Sequence, residues 1–282
     1  MSARYTIAAS LLFLAAAVPA ADRLLPVAVA STAAGTVVLN ADGRVLVADP
    51  KPGSGLRAVC RNYNVVFDMA AGQWNGQTSI FVVGLADNRK LSLVTEYSPQ
   101  GKQLRTWSQL GGPLYGIGLD SSSNTLYVTG GDSNIYTVTE ASKSFGHVAS
   151  VTGINHIGSI TVDSRYGRLF VATTDDGSVY TLDKAGQNQR KLAQGLGNLS
   201  ALAYDAADST LYASDAKGFV WRWNPDQQAP PKKMTISVRL RQPLGLALVP
   251  GSAGGPDLLV GDQNASCVYR ISAAGAILQQ IR

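Results

Sequence analysis

Gly116-Ile-Gly-Leu-Asp120, then Thr125-Leu-Tyr-Val128, then Ile135-Tyr-Thr-Val138 is a phrase that the chain states three times. The second statement is Ser159-Ile-Thr-Val-Asp163, Arg168-Leu-Phe-Val171 and Val179-Tyr-Thr-Leu182. The third is Ala201-Leu-Ala-Tyr-Asp205, Thr210-Leu-Tyr-Ala213 and Val220-Trp-Arg-Trp223. These short runs are almost continuously apolar, rich in β-branched and aromatic residues, and bounded by turn residues. Each therefore predicts a strand buried on both faces. Asp120 and Asp163 are 43 residues apart and Asp163 and Asp205 are 42 apart, the spacing of a repeated four-stranded unit.

Using the Asp that closes each first strand as a ruler and working outward, the corresponding positions are Asn40, Asp68, Asp120, Asp163, Asp205 and Pro250. Six markers predict an all-β fold, a single six-bladed β-propeller of four-stranded antiparallel blades over residues 21–282. The blades start near 36, 65, 115, 159, 199 and 244. The first blade is short on this count, so either Pro26 to Thr32 supplies an outer strand or the marker at Asp68 is misplaced. Asp42-Gly43, Asn75-Gly76 and Asp176-Gly177 supply turn chemistry between strands. No amphipathic helix or low-complexity linker interrupts the series.

First-strand Asp, then Leu-Tyr-Val-x-x-x-Asp, then Ile-Tyr-x-Val resembles the NHL, YWTD and gluconolactonase-like families of six-bladed propellers over nearly the whole chain. The resemblance implies architecture more than activity, since such folds host binding modules, lactonases, lyases and cyclases. In the gluconolactonase-like enzymes it implies a metal held by a Glu at the start of the first blade and Asn and Asp residues at later ones. Asn198 occupies the phase of that family's Asn-Gly motif, but no Glu lies near Ala33 and the chain's only Glu residues are Glu96 and Glu140. A hard divalent cation wants several oxygen ligands, including anionic ones, so no metal and no cofactor are expected. Two histidines, His147 and His156, exclude a three-His zinc site.

Met1 to Ala20 reads as a secretory leader: Arg4, an apolar run from Ile7 to Val18, and Val18-Pro-Ala20 as a cleavage site. The run is short for a membrane span, so a secreted or periplasmic, monomeric protein is expected. Charged residues make up 15% of the chain and the net charge is +5. The densest basic spots, Gln187-Asn-Gln-Arg-Lys191, Pro231-Lys-Lys233 and Arg239-Leu-Arg241, read as solvated loops, and no nucleic-acid partner is expected. Cys60 and Cys267 fall in the first and last blades, where a disulfide would lock ring closure. Two buried free thiols are the competing reading.

Propellers bind ligands where the innermost strands begin. The ruler places Arg61, Asn62, Tyr115, His156, Asn198 and Gln242 there. His156 is either a general base helped by Arg61 and Tyr115 or a donor to a loop carbonyl. Asp49, Asp132, Asp175, Asp215 and Asp262 follow second strands in blade after blade, which suggests carboxylates that hold turns. His147 reads as a surface residue, and Trp221 and Trp223 as inter-blade packing. Trp74, in a turn-rich segment, reads as a solvent-near contact or a lid on its own hairpin. Asn198 and Asn264 begin glycosylation sequons, a role that competes with a channel role for Asn198. The expectation is a secreted module binding a small molecule, glycan or protein at the channel mouth without a metal. The alternative is an enzyme, either a lactonase-type hydrolase or a cofactor-free cyclase or lyase.

Overall fold

The computed structural model describes residues 23–33, 35–49, 54–62, 65–86, 91–110, 112–154, 156–227, 229–251 and 255–282, so the leader reading of Met1 to Ala20 lies outside the described residues. Twenty-four strands form six antiparallel four-stranded sheets, each built from consecutive strands. Blade one holds β1 (Pro26–Thr32), β2 (Gly35–Asn40), β3 (Arg44–Ala48) and β4 (Arg57–Arg61), and blade two β5 (Val65–Trp74), β6 (Gln77–Leu85), β7 (Leu91–Tyr97) and β8 (Gln103–Leu110). Blade three holds β9 (Leu114–Asp120), β10 (Thr125–Gly130), β11 (Asn134–Thr139) and β12 (Gly146–Ser150), and blade four β13 (Ile157–Asp163), β14 (Arg168–Thr173), β15 (Val179–Asp183) and β16 (Arg190–Ala193). Blade five holds β17 (Leu199–Asp205), β18 (Thr210–Asp215), β19 (Phe219–Trp223) and β20 (Lys232–Lys233), and blade six β21 (Pro243–Val249), β22 (Asp257–Asp262), β23 (Cys267–Ile271) and β24 (Ile277–Ile281). The first strands touch in the cycle β1, β5, β9, β13, β17, β21 and back to β1, which makes them the wall of a central channel. The chain is thus a six-bladed β-propeller, and no helix occurs among the described residues.

The unbroken apolar runs of the repeat now have their cause. Six hydrophobic clusters exist, and each straddles one seam between neighbouring blades. A middle strand therefore buries both faces, one against each neighbour: in β10, Leu126 and Val128 meet blade two while Tyr127 meets blade four. Each fully buried Leu or Val on such a seam contributes about 1.5–3 kcal/mol of transfer free energy. Trp223 fills the seam between blades four and five, with Trp221 packed against the same cluster.

Four sequence expectations are corrected. Pro26–Thr32 is the innermost strand of blade one, not an outer one, so this blade begins at 26, and Asn40 closes its second strand. Asp68 lies inside β5, which runs on to Trp74, so it is not the equivalent of Asp120. The reliable ruler is a β-bulge near the start of every first strand, whose extra residue is Val27, Phe67, Tyr115, Gly158, Ser200 or Leu244. Trp74 is buried at 1% exposure against Phe81 in the second seam, because the Asn75-Gly76 turn adopts positive φ at both residues and folds the hairpin back tightly.

The last correction concerns the cysteines, both of which are free. Cys60 packs into the seam between blades one and two, where burial pushes its thiol up to about 11. In β23, Val268 enters the seam with blade one, so alternation turns Cys267 and Tyr269 the other way, and Tyr269 packs toward blade five. The two thiols face away from each other across blade one, and a bridge would need them within about 7 Å between Cα atoms. Blade six instead meets blade one through side chains: Val249, Leu259, Val268 and Ile281 pack on Leu24, Val29, Val38 and Leu46. A β-carbon on Gly245 would come within 2.8 Å of the Val29 nitrogen, so glycine permits this close approach of β21 to β1.

Candidate functional site

Three kinds of segment meet on the face where first strands begin, here called the top: the strand starts, the β2–β3-type turns, and the crossovers from one blade to the next. The bulge residues ring the channel mouth and are all partly exposed. Phe67 and Tyr115 meet edge to face with ring centroids 5.1 Å apart, giving the mouth an aromatic side. Gly158 and Ser200, the next two bulge residues, carry almost no side chain. Burial raises the Tyr115 hydroxyl above its ordinary range, so it remains a neutral donor near neutral pH.

His156 directly precedes β13, and its Nδ1 lies 3.1 Å from Asp175 Oδ2. Both side chains are a little under half exposed, at 45% and 44%. His156 Nε2 has no protein partner among the described residues. Gly131 brings the pair close to Tyr115: a β-carbon placed there would lie 2.9 Å from Tyr115 Cε2 and 3.7 Å from His156 Cδ2. His156 therefore does not spend itself on a loop carbonyl, and its orienting partner is a carboxylate.

Asp175 is the exception among the turn carboxylates. Asp132 accepts the Asn134 N–H and the Tyr136 hydroxyl, Asp215 accepts the Lys217 N–H, and Asp262 accepts the N–H groups of Arg241, Gln242 and Ala265. In blade four that work falls to Asp176, which accepts the Ser178 N–H and both the Thr173 and Ser178 hydroxyls. Asp175 is thereby left for His156. In blade one the corresponding turn carboxylate is Asp42, which accepts the Arg44 N–H, while Asp49 is exposed just past β3 on the opposite face.

Of the remaining expected residues, Asn198 and Gln242 reach the mouth, immediately before β17 and β21. Both are partly exposed, and their carbonyls accept the N–H groups of Ala216 and Gln263. Arg61 does not reach it: it ends the outermost strand of blade one, where its Nε donates to the Asp42 carbonyl at 3.1 Å. Asn62 is buried, donates its N–H to the Gly43 carbonyl and bonds Tyr97, so it anchors the crossover. His147 is exposed on β12, beside Asn134 and Ser150.

One residue of chemical interest was hidden by the misplaced ruler. Asp68 follows the bulge of β5, where the other first strands carry Ala28, Gly116, Ser159, Ala201 and Gly245. Its Oδ2 accepts the Ile117 N–H of the next first strand at 3.1 Å, and its Oδ1 accepts the Met69 N–H at 2.8 Å. Ser159 repeats the contact two blades on, accepting the Leu202 N–H. Asp68 is partly exposed on this first strand, but protein atoms crowd its carboxyl. That enclosure pushes its carboxyl up to about 7, against the pull of the two N–H donors. A carboxylate at a position otherwise held by small residues was the available sequence signal.

Among the described residues no three His, Cys, Asp or Glu side chains converge as metal ligands, and no helix is long and apolar enough to cross a membrane. No family model and no curated protein sequence matches the chain. Solved structures do. A chain of a nidogen/laminin complex superimposes with a TM-score of 0.70 at 18% identity, over 85% of this chain and 90% of that one. A structural genomics protein of unknown function from Bacteroides thetaiotaomicron VPI-5482 gives 0.67 at 10% identity, over 88% and 70%. At these identities the likeness is one of fold.

Proposed function

We propose that this protein is a recognition propeller acting outside the cytoplasm, and that its top channel mouth takes a polar small molecule, glycan or protein segment without a metal. The observation that carries this reading is the His156–Asp175 pair beside Tyr115. It is where a turn carboxylate is released from its own turn, and it presents a donor, an acceptor and an aromatic edge together at the channel mouth. The leader-like Met1 to Ala20 supports export, and the presence of the similar chain in a nidogen/laminin complex supports a protein segment as one candidate ligand.

A panel of sugars, carboxylic acids and short peptides screened by thermal shift tests the reading, since a ligand of the native state raises its melting point. Affinity for any hit should fall at least about tenfold in His156→Ala and Asp175→Asn, the loss of about one charge-assisted hydrogen bond. Binding unchanged in both variants would remove the site from the channel mouth.

The same pair favours a second reading, cofactor-free acid–base chemistry. A carboxylate on Nδ1 fixes the imidazole and leaves Nε2 for a substrate proton, with the Tyr115 hydroxyl as a neutral donor nearby. Lactone and activated-ester hydrolysis above the buffer rate, abolished by His156→Ala, would select this reading. No turnover above buffer would leave recognition alone.

A further inference from the structure

We infer that the top face carries a second site, an anion-binding pocket between blades five and six that takes an acidic polysaccharide. Lys217 on the β18–β19 turn and Arg239, Leu240 and Arg241 on the crossover into blade six line a cavity of about 380 Å³. Local geometry dictates who faces it. Leu240 is 2% exposed and anchored in the seam between blades five and six, while Arg239 and Arg241 on either side of it are exposed. Gly218 has φ of +103°, and a β-carbon there would lie 2.4 Å from the Leu240 carbonyl oxygen. The turn and the crossover are therefore in contact, which holds Lys217 beside the two arginines.

The nearby carboxylates are committed elsewhere. Asp215 and Asp262 are buried and accept backbone N–H groups, including those of Lys217, Arg241 and Gln242. Among the described residues Lys217, Arg239 and Arg241 form no ion pair, whereas Arg44, Arg105, Arg168, Lys184 and Arg270 each do. On the flank, Lys233 Nζ stands 3.6 Å over the ring of Phe219, a residue 40% exposed. Two guanidinium forks and an ammonium around one pocket call for several anionic oxygens, which carboxylate or sulfate groups supply bidentately. Single-stranded nucleic acid would want open aromatic faces for base stacking, and here Lys233 occupies the available ring. The pocket suits one or two sugar units, open to further units along the Lys233 flank.

Calorimetric titration with a sulfated heparin-type oligosaccharide tests the site on the full chain. The triple variant Lys217→Gln, Arg239→Gln, Arg241→Gln should bind at least about tenfold more weakly, with a salt dependence reduced by about two ions. A control lacking the same charge elsewhere, Arg57→Gln, Lys102→Gln, Lys143→Gln, should bind like the wild type. All six residues are exposed, so matching melting points will show that both variants are folded. Equal weakening in the two variants would assign binding to net charge and overturn the proposal. So would single-stranded DNA or polyphosphate binding the wild type as tightly as the sulfated sugar. Neither result bears on the channel mouth, which rests on different residues.

Discussion

Asp68→Asn removes a carboxyl that burial in a first strand raises toward neutrality, and its effect can be worked out in advance. The group titrates near 3.8 in an unfolded chain and at about 7 in the ring. Between those values the native state keeps a proton that the unfolded state has released. Stability therefore falls as pH rises from about 4 to about 7 and is flat beyond. At about 1.4 kcal/mol per pH unit the full span sets a ceiling of about 4 kcal/mol. Solvent reaches part of the side chain and screens it, which leaves an expectation of about 2 kcal/mol between pH 5 and 8. Asparagine keeps one carbonyl oxygen for the Met69 or Ile117 N–H and loses the other bond, a pH-independent cost of about 1–3 kcal/mol. The informative quantity is thus the stability gap between wild type and variant, in which every other titrating group cancels. Denaturant unfolding across that pH range should show the gap shrinking by about 2 kcal/mol toward pH 8. A gap that stays constant would refute the assignment of a raised carboxyl to Asp68.

Two further outcomes test the frame. Asp120 is fully enclosed and, against the cost of burial, is held well below the usual carboxylate range by Lys184 and by the hydroxyls of Ser122, Ser164 and Ser123. Because Ser164 and Lys184 belong to blade four, Asp120→Ala should cost about 3 kcal/mol at neutral pH. That penalty should shrink as pH falls below about 4, where the unfolded chain's carboxyl takes up a proton that the native one still excludes. Thermal melts showing one penalty at both pH values would contradict this. Reductant should leave the melting midpoint within about 1 °C, since both thiols are free; a bridge worth about 2–4 kcal/mol would instead lower it by roughly 4–16 °C in a chain of this size.

The sequence made the architecture legible because inter-blade burial writes itself directly into residue choice. Leu126, Tyr127 and Val128, like Leu169, Phe170 and Val171, must be apolar on successive positions when both faces of a strand meet a neighbour. What misled was treating Asp as the phase marker. Asp120, Asp163 and Asp205 serve their own turns, and nothing requires the same residue where the turn differs, so Asn40, Asp68 and Pro250 were false equivalents. The bulge is the invariant, but it is a backbone feature carried by residues as unlike as Phe67 and Gly158. The site divided along the same line. Tyr115 and His156 follow from local counting within intact repeats, whereas Arg61 and Asn62 were drawn in through the shifted first blade. The partnership of His156 with Asp175 was out of reach, because it depends on which of two adjacent aspartates, Asp175 or Asp176, turns toward its own hairpin. The anion pocket was equally hidden, since Lys217 and Arg241 become neighbours only when the turn lands on the crossover at Gly218.

The way blade six meets blade one has a consequence for how such a ring is made and altered. Among the described residues no strand from one end of the chain completes a sheet begun at the other, so every blade is complete within its own stretch of chain. Closure is the docking of two apolar surfaces along Val29, Val38, Leu259 and Val268, with no backbone ladder to thread. A chain reopened between any other two blades, with its present ends joined, would regenerate the same six seams. A duplicated period would likewise enter the gene as one whole sheet, ready to be accommodated or discarded without rerouting a single strand.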